Sequence, residues 1–200
     1  MDKQQWEEEN QTFEIDFHRK ENYRWNPEAF WPAWEKHFKG WCGVDINQYA
    51  DKVVLDLGCG SVPAIDVFKH SVKYYIDPLV DKYVGIKQVA HYWDSEHMAH
   101  AIGAPGEVKW KFLEGSCSFI NCWNVIDHGF CWRDIVQNII EYARPGCIVS
   151  FSTDYNPHTG HTGIDNTEEL FIRLAEHFEV LKDEPGYWGR DMALLLQRKG

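Results

Sequence analysis

Apolar and polar positions along this chain change period several times, and each change marks an element. Residues 1–25 are strongly charged, with aromatics only at Trp6, Phe13, Phe17, Tyr23 and Trp25. A helix then has a clear start. Asn26 is a good N-cap, Pro27 fits the first helical position, and Glu28 complements the positive helix end. Phe30, Trp34, Phe38 and Trp41 recur at helical spacing along one face, and Gly40 and Gly43 are expected to end it. From residue 53 short apolar runs alternate with helical patterns. Val53–Leu57 reads as a buried parallel strand stopped by Gly58-Cys59-Gly60. Ser61 is placed to cap a helix over 61–69, with Pro63 tolerated in its first turn. A second strand covers Val72–Ile76 and ends at Asp77-Pro78, and parts of 81–101 are helical. Residues 118–125 form a strand, and Trp132–Tyr142 form a helix with Ile135, Val136, Ile139 and Ile140 on one face. Arg144-Pro145-Gly146 reads as a turn before a strand at 147–152. Asn166 and Glu169 make a capping box that opens a helix to about His177. Strands at 178–181 and 192–197 close the chain across a turn at Pro185-Gly186 and Gly189, and should pair antiparallel at one edge.

This alternation predicts an α/β fold, an open parallel sheet covered on both faces. Residues 1–50 are expected to form an N-terminal cap or lid, and 51–200 the main domain. Two hundred residues suffice for that arrangement. With 44% apolar and 26% charged residues, a disordered or fibrous chain is excluded. The net charge of −11 argues against a nucleic acid partner, which needs clustered Lys and Arg. No run approaches ~18 apolar residues, so no membrane span is expected. The polar, acidic first ten residues do not read as a signal peptide. Six irregularly spaced cysteines read as reduced thiols in a cytoplasmic protein. The aromatic content of 15% suits a grip on a flat or apolar ligand, and equally a thick core.

Ligands of open α/β sheets bind beyond the carboxyl ends of the strands. That rule directs attention to Asp56, Gly58, Cys59 and Gly60, and to Asp77, 17 residues after Gly60. The glycines permit a tight turn and close backbone approach, and Asp77 is placed to accept from a ribose diol. A dinucleotide fingerprint needs a third glycine where Pro63 stands, and no Gly-Lys-Ser/Thr loop is present. A nucleoside ligand without phosphate therefore fits better than NAD or ATP. Asp56 agrees with this, since a carboxylate facing the ligand repels phosphate and suits an ammonium group.

Five segments in order, VVLDLGCG (53–60), YYIDP (74–78), NVIDH (124–128), RPGCIVSF (144–151) and HFEVLKDE with LLLQRKG at the end, resemble class I S-adenosylmethionine-dependent methyltransferases. The resemblance covers about residues 50–200. It implies a Rossmann-like, doubly wound seven-stranded sheet, mostly parallel with its last strand antiparallel, and S-adenosyl-L-methionine as cofactor with S-adenosyl-L-homocysteine as product. It assigns the methionine part of the cofactor to Asp56, Gly58, Cys59 and Gly60, and the ribose to Asp77 with Pro78 beside it. Asn124, Val125, Ile126, Asp127 and His128 would border cofactor and acceptor. The stretch 106–117 is compressed, without a clear third strand and adenine loop. Glu107 is the matching acid, with Glu114 as its competitor.

Methyl transfer needs a base only when the acceptor must lose a proton, and histidine is best matched near neutral pH. His128 follows the fourth strand. His158 and His161 lie in a polar loop after the fifth, His161 being the foremost candidate there. A zinc site is not expected, because no Cys-x-x-Cys is present. In the N-terminal segment His18, Arg19, Tyr23, Arg24 and Trp25 are candidate acceptor contacts. The reading is transfer of methyl to an O or N atom of a small molecule or glycan. A non-catalytic cofactor-binding module, or another cofactor-using enzyme on the same fold, is the competing class.

Overall fold

The computed structural model describes residues 3–20, 26–156 and 163–200. The chain divides into two compact units, Met1–Ala104 and Pro105–Gly200.

The first unit opens with helix α1 (Lys3–Lys20), which buries Ile15 and His18 and leaves Phe13 and Phe17 exposed. Helix α2 (Pro27–Lys36) starts as its sequence demands: the Asn26 side chain accepts from the Glu28 backbone N–H at 3.1 Å. It continues into a π-helical turn over His37–Trp41, so Gly40 lies inside the helical segment and Gly43, at φ 64°, ends it. Of the predicted face, Phe30, Phe38 and Trp41 are buried and Trp34 is half-buried. Strands β1 (Val53–Leu57), β2 (Val72–Ile76) and β3 (Ala101–Ile102) pair in parallel in the order β3-β2-β1. The third strand, not recognised in the sequence, is only two residues long and precedes 106–117. The helix expected over 61–69 is absent. Pro63 is extended (φ −65°, ψ 127°), and a single 3-10 turn spans Ala64–Val67. The residue before a proline is pushed away from the α region, so Ser61 cannot open a helix that runs on through Val62. Short helices α3 (Val80–Tyr83) and α4 (Ser95–His100) lead to β3.

The second unit has strand order β4-β5-β7-β6. Strands β4 (Cys117–Trp123) and β5 (Ala143–Thr153) are parallel, and β7 (Met192–Arg198) runs antiparallel to both β5 and β6 (Phe178–Asp183). The expected turn at 144–146 is a bulge within β5: Cys117 faces Ala143, and Phe119 faces Ile148. Gly146 takes φ 78° there. Helix α5 (Trp132–Tyr142) buries Ile135, Val136, Ile139 and Ile140, each contributing about 1.5–3 kcal/mol. Helix α6 (Thr167–His177) begins with the Asn166 side chain accepting from the Glu169 N–H at 2.9 Å. The fold is therefore the expected α/β class with seven strands, mostly parallel, and an antiparallel penultimate position for β7. No helix among the described residues is long and apolar enough to cross a membrane.

Candidate functional site

In the first unit the chain turns sharply after β1. Gly58 and Gly60 take φ 69° and 64°, a region that costs L side chains and not glycine. The N–H groups of Gly58 and Cys59 both donate to the Ile76 carbonyl at the end of β2, at 2.7 and 3.4 Å. The Gly60 N–H donates to Asp77 Oδ2 at 2.9 Å. Asp77 Oδ1 accepts from the Leu79 N–H at 2.8 Å and from the Tyr83 hydroxyl at 3.1 Å. Asp77 is buried. Burial pushes its carboxyl above the usual range, against the pull of these donors. Pro78, half-buried, starts the turn that brings Leu79 back to this carboxylate.

Asp56, also buried, directs Oδ2 to the backbone N–H groups of Ala64 and Ile65, at 2.9 and 3.4 Å. Its work in the structure is to cap the turn after Pro63. Cys59 is a neutral thiol, raised well above its ordinary value by burial first, then by Asp77 and Asp56.

Helix α1 lies over this turn. His18 Nδ1 is 3.1 Å from Ser61 Oγ, and its ring meets Tyr83 edge-on at 5.0 Å. Two tryptophans hold the same segment: Trp93 Nε1 donates to the Ser61 carbonyl at 2.9 Å, and Trp31 Nε1 to the Pro63 carbonyl at 3.3 Å. Neither tryptophan, nor Tyr83, was singled out in the sequence, because their partners are backbone atoms or distant side chains that spacing does not encode. Behind the turn, His97 bridges Asp66 (3.0 Å) and Asp94 (2.8 Å), and the Tyr75 hydroxyl donates to Asp66 at 2.8 Å. The bond to Asp66 foremost, then that to Asp94, raises His97 to about 9.

In the second unit the carboxyl ends of β4 and β5 carry a polar network. Asn124 takes φ 59° and donates its backbone N–H to Ser152. Its amide is oriented from outside: Arg190 Nη1 donates to Asn124 Oδ1 and, at 2.6 Å, to Asp154 Oδ2. Asn124 Nδ2 therefore points at His128 Nε2, 3.0 Å away. Donation there makes Nε2 the acceptor, so a neutral His128 carries its proton on Nδ1. Val125 and Ile126 form the turn between, with the His128 N–H donating to the Val125 carbonyl at 3.0 Å. Asp127 is fully buried and accepts from Thr153 Oγ1 at 3.1 Å. Arg190, from the β6–β7 turn, was missed because nothing in its sequence neighbourhood points to β4.

Glu107 Oε1 accepts from the Cys131 N–H at 3.1 Å, beside the positive start of α5, and its Oε2 is buried without a partner. Its competitor Glu114 pairs with Lys109 at 2.7 Å. His158 and His161 lie outside the described residues, as do Tyr23, Arg24 and Trp25. Among the described residues no group of three or more His, Cys, Asp or Glu is arranged to hold a metal.

No protein-family model and no curated protein matches the chain. Solved structures do match in fold. A Burkholderia thailandensis 1,6-didemethyltoxoflavin-N1-methyltransferase, bound to 1,6-didemethyltoxoflavin and S-adenosylhomocysteine, is 15% identical with a TM-score of 0.59, over 96% of this chain and 87% of that one. A Haemonchus contortus phosphoethanolamine N-methyltransferase 1, in complex with phosphoethanolamine and S-adenosylhomocysteine, is 12% identical with a TM-score of 0.61, over 100% of this chain and 50% of that one. A 16S rRNA (adenine(1408)-N(1))-methyltransferase from Catenulisporales acidiphilia is 13% identical with a TM-score of 0.53, over 84% and 91%. The fold is thus that of the class I S-adenosylmethionine-dependent methyltransferases.

Proposed function

We propose that this chain is an S-adenosyl-L-methionine-dependent methyltransferase acting on an oxygen or nitrogen atom of a small molecule or glycan. One observation carries the reading. All three N–H groups of the glycine turn are taken by protein acceptors, Ile76 for Gly58 and Cys59, and Asp77 for Gly60. Phosphate-binding turns work by presenting such N–H groups to the anion, so this turn suits a nucleoside without phosphate. A carboxylate offers about four acceptor positions; Asp77 accepts three donors, which leaves one on Oδ2 for a ribose hydroxyl.

The residues divide the work. When bound, the cofactor supplies a methyl group on a sulfonium, and the chain supplies binding and orientation. In the first unit Gly58 and Gly60 let the backbone approach the ligand, and Asp77 fixes both the turn and the ribose. In the second unit the adenine contact is proposed for Glu107 from the sequence resemblance alone; its Oε1 accepts from the Cys131 N–H. Asn124 and His128 are assigned to the acceptor. His128 takes a proton at Nε2 only if Asn124 releases that atom; otherwise it orients the acceptor, and the pH dependence of the rate separates these roles. His158 and His161 remain proposed partners in that step. The acid excess supports an acceptor other than nucleic acid, and the sparse, irregular cysteine spacing suits a cytoplasmic setting.

The test is transfer of labelled methyl from the cofactor, with mass spectrometry of the product after incubation with metabolite and glycan fractions. A labelled O- or N-methyl product supports the reading. Cofactor binding with no transfer across all fractions favours a non-catalytic module.

A further inference from the structure

We propose that the turn at 187–190, together with Trp123, is a stacking subsite for an uncharged ring, either a pyranose or a heteroaromatic amine, and that this ring belongs to the methyl acceptor. The acceptor assignment rests on the methyltransferase reading; the stacking subsite does not. Thr153 pairs with Met192, and Trp123 with Ser152, so the β6–β7 turn leaves the sheet where β4 and β5 end. That is the ligand-binding edge of such sheets. Two neighbouring residues at the end of β4 are both gripped by this turn. Asn124 is held by Arg190. Trp123 meets Tyr187 and Trp188 edge-on, at 6.0 and 5.8 Å, while those two rings lie nearly parallel at 5.7 Å. The three rings pack as one cluster, so a ligand would stack on its exposed surface. Trp188 is 45% exposed there.

The backbone gives an independent indication. Trp188 takes φ 51° and ψ 28°, a left-handed conformation that is an outlier for a bulky residue. Glycines flank it at positive φ, Gly186 at 86° and Gly189 at 76°. A glycine at 188 would make the same turn without that cost. Strain of this kind collects at functional sites, and an indole is what the strain here presents. Charge then selects the ligand. Arg190 is neutralised by Asp154, and the turn is flanked in sequence by Asp183, Glu184 and Asp191 against Lys182. A phosphorylated ring is repelled. A ring with hydroxyl or amino hydrogens suits such an acidic edge, where Asp191 Oδ2 accepts only the Tyr155 N–H among the described residues.

The experiment is saturation-transfer NMR on the full chain with methyl β-glucopyranoside, 2-aminopyrimidine and glucose 6-phosphate as probes, and calorimetry with S-adenosylhomocysteine in parallel. Variants are Trp188→Gly and Trp188→Phe, with folding followed by urea midpoint. Expected is saturation of at least one uncharged probe, weakened tenfold or more in Trp188→Gly, partly restored in Trp188→Phe, with S-adenosylhomocysteine affinity unchanged within twofold. Response of the glucoside alone or the aminopyrimidine alone names the source of the ring. Saturation that is indifferent to Trp188, absent for both uncharged probes, or strongest for glucose 6-phosphate overturns the subsite. Failure of S-adenosylhomocysteine to bind overturns the acceptor assignment along with the methyltransferase reading, and leaves the probe result standing by itself.

Discussion

Replacing Asp77 by Asn changes one atom in the most connected carboxylate of the glycine turn. The Asn side chain can keep one oxygen toward the Leu79 N–H and the Tyr83 hydroxyl, but its NH2 group then faces the Gly60 N–H. A charge-assisted bond of 2.9 Å becomes a meeting of two donors. Leaving a buried donor unsatisfied costs about 1–3 kcal/mol. Removing a buried charge offsets part of this, because burial already disfavours the ionised form of Asp77. A net loss of about 1–2 kcal/mol lowers a urea midpoint by roughly 0.5 M for a slope of about 2–3 kcal/mol/M. The ribose hydroxyl loses its bond to a charged acceptor, worth about 1.5–3 kcal/mol, or about ten- to a hundredfold in Kd. Raised above its unfolded value of 3.8, the Asp77 carboxyl contributes most stability below that pH. The contribution falls as pH rises through the folded value, so the gap between wild type and variant narrows over that interval. Urea unfolding at several pH values and calorimetry with S-adenosylhomocysteine measure both effects. A variant with unchanged midpoint and unchanged Kd refutes the reasoning. Asp77→Ala is a less clean probe of the ribose, since it strips three protein donors of their acceptor at once.

Three further outcomes are expected. His97, raised to about 9 between Asp66 and Asp94, contributes stability fully present below about 6.5 and lost as pH rises through 9; the wild-type Tm should fall toward that of His97→Gln between pH 7 and 10, and parallel curves would show that the bridge is not made. Phe38, fully buried against Phe68 and Trp34, should cost about 3–5 kcal/mol on truncation to Ala by chemical denaturation, and a loss below about 1 kcal/mol would place the π-helical turn at His37–Trp41 outside the core. His128→Ala should lower the transfer rate by ~10²–10⁴ if His128 is the base, with the wild-type rate rising through its pKa; a small loss indifferent to pH assigns it to orientation.

Local signals were readable where the structure is made by local rules. Asn26 and Asn166 cap the helices that their sequence neighbours announce, and α5 has the apolar face that its period requires. Non-local competition hid the rest. The segment after Ser61 has helix-start chemistry, yet Pro63 stays extended and only a single turn follows it, capped by the distant Asp56 carboxylate. Strand β3 is two residues long, too short for any period to show. Asp77 was identifiable from its position after β2, but its three protein donors were not, and they change what its mutation measures. Arg190 reaches Asn124 across 66 positions of sequence, and only the β5–β7 register explains why.

The glycine turn, with its three N–H groups taken by Ile76 and Asp77, offers a nucleoside site without a phosphate cradle. Calorimetric titration of the wild-type chain with S-adenosylhomocysteine, beside NAD and ATP under the same conditions, tests it most directly. Saturable one-site binding of S-adenosylhomocysteine is expected, with no measurable heat from either phosphate-bearing ligand. Absence of binding by S-adenosylhomocysteine, or tighter binding of NAD or ATP, would contradict it.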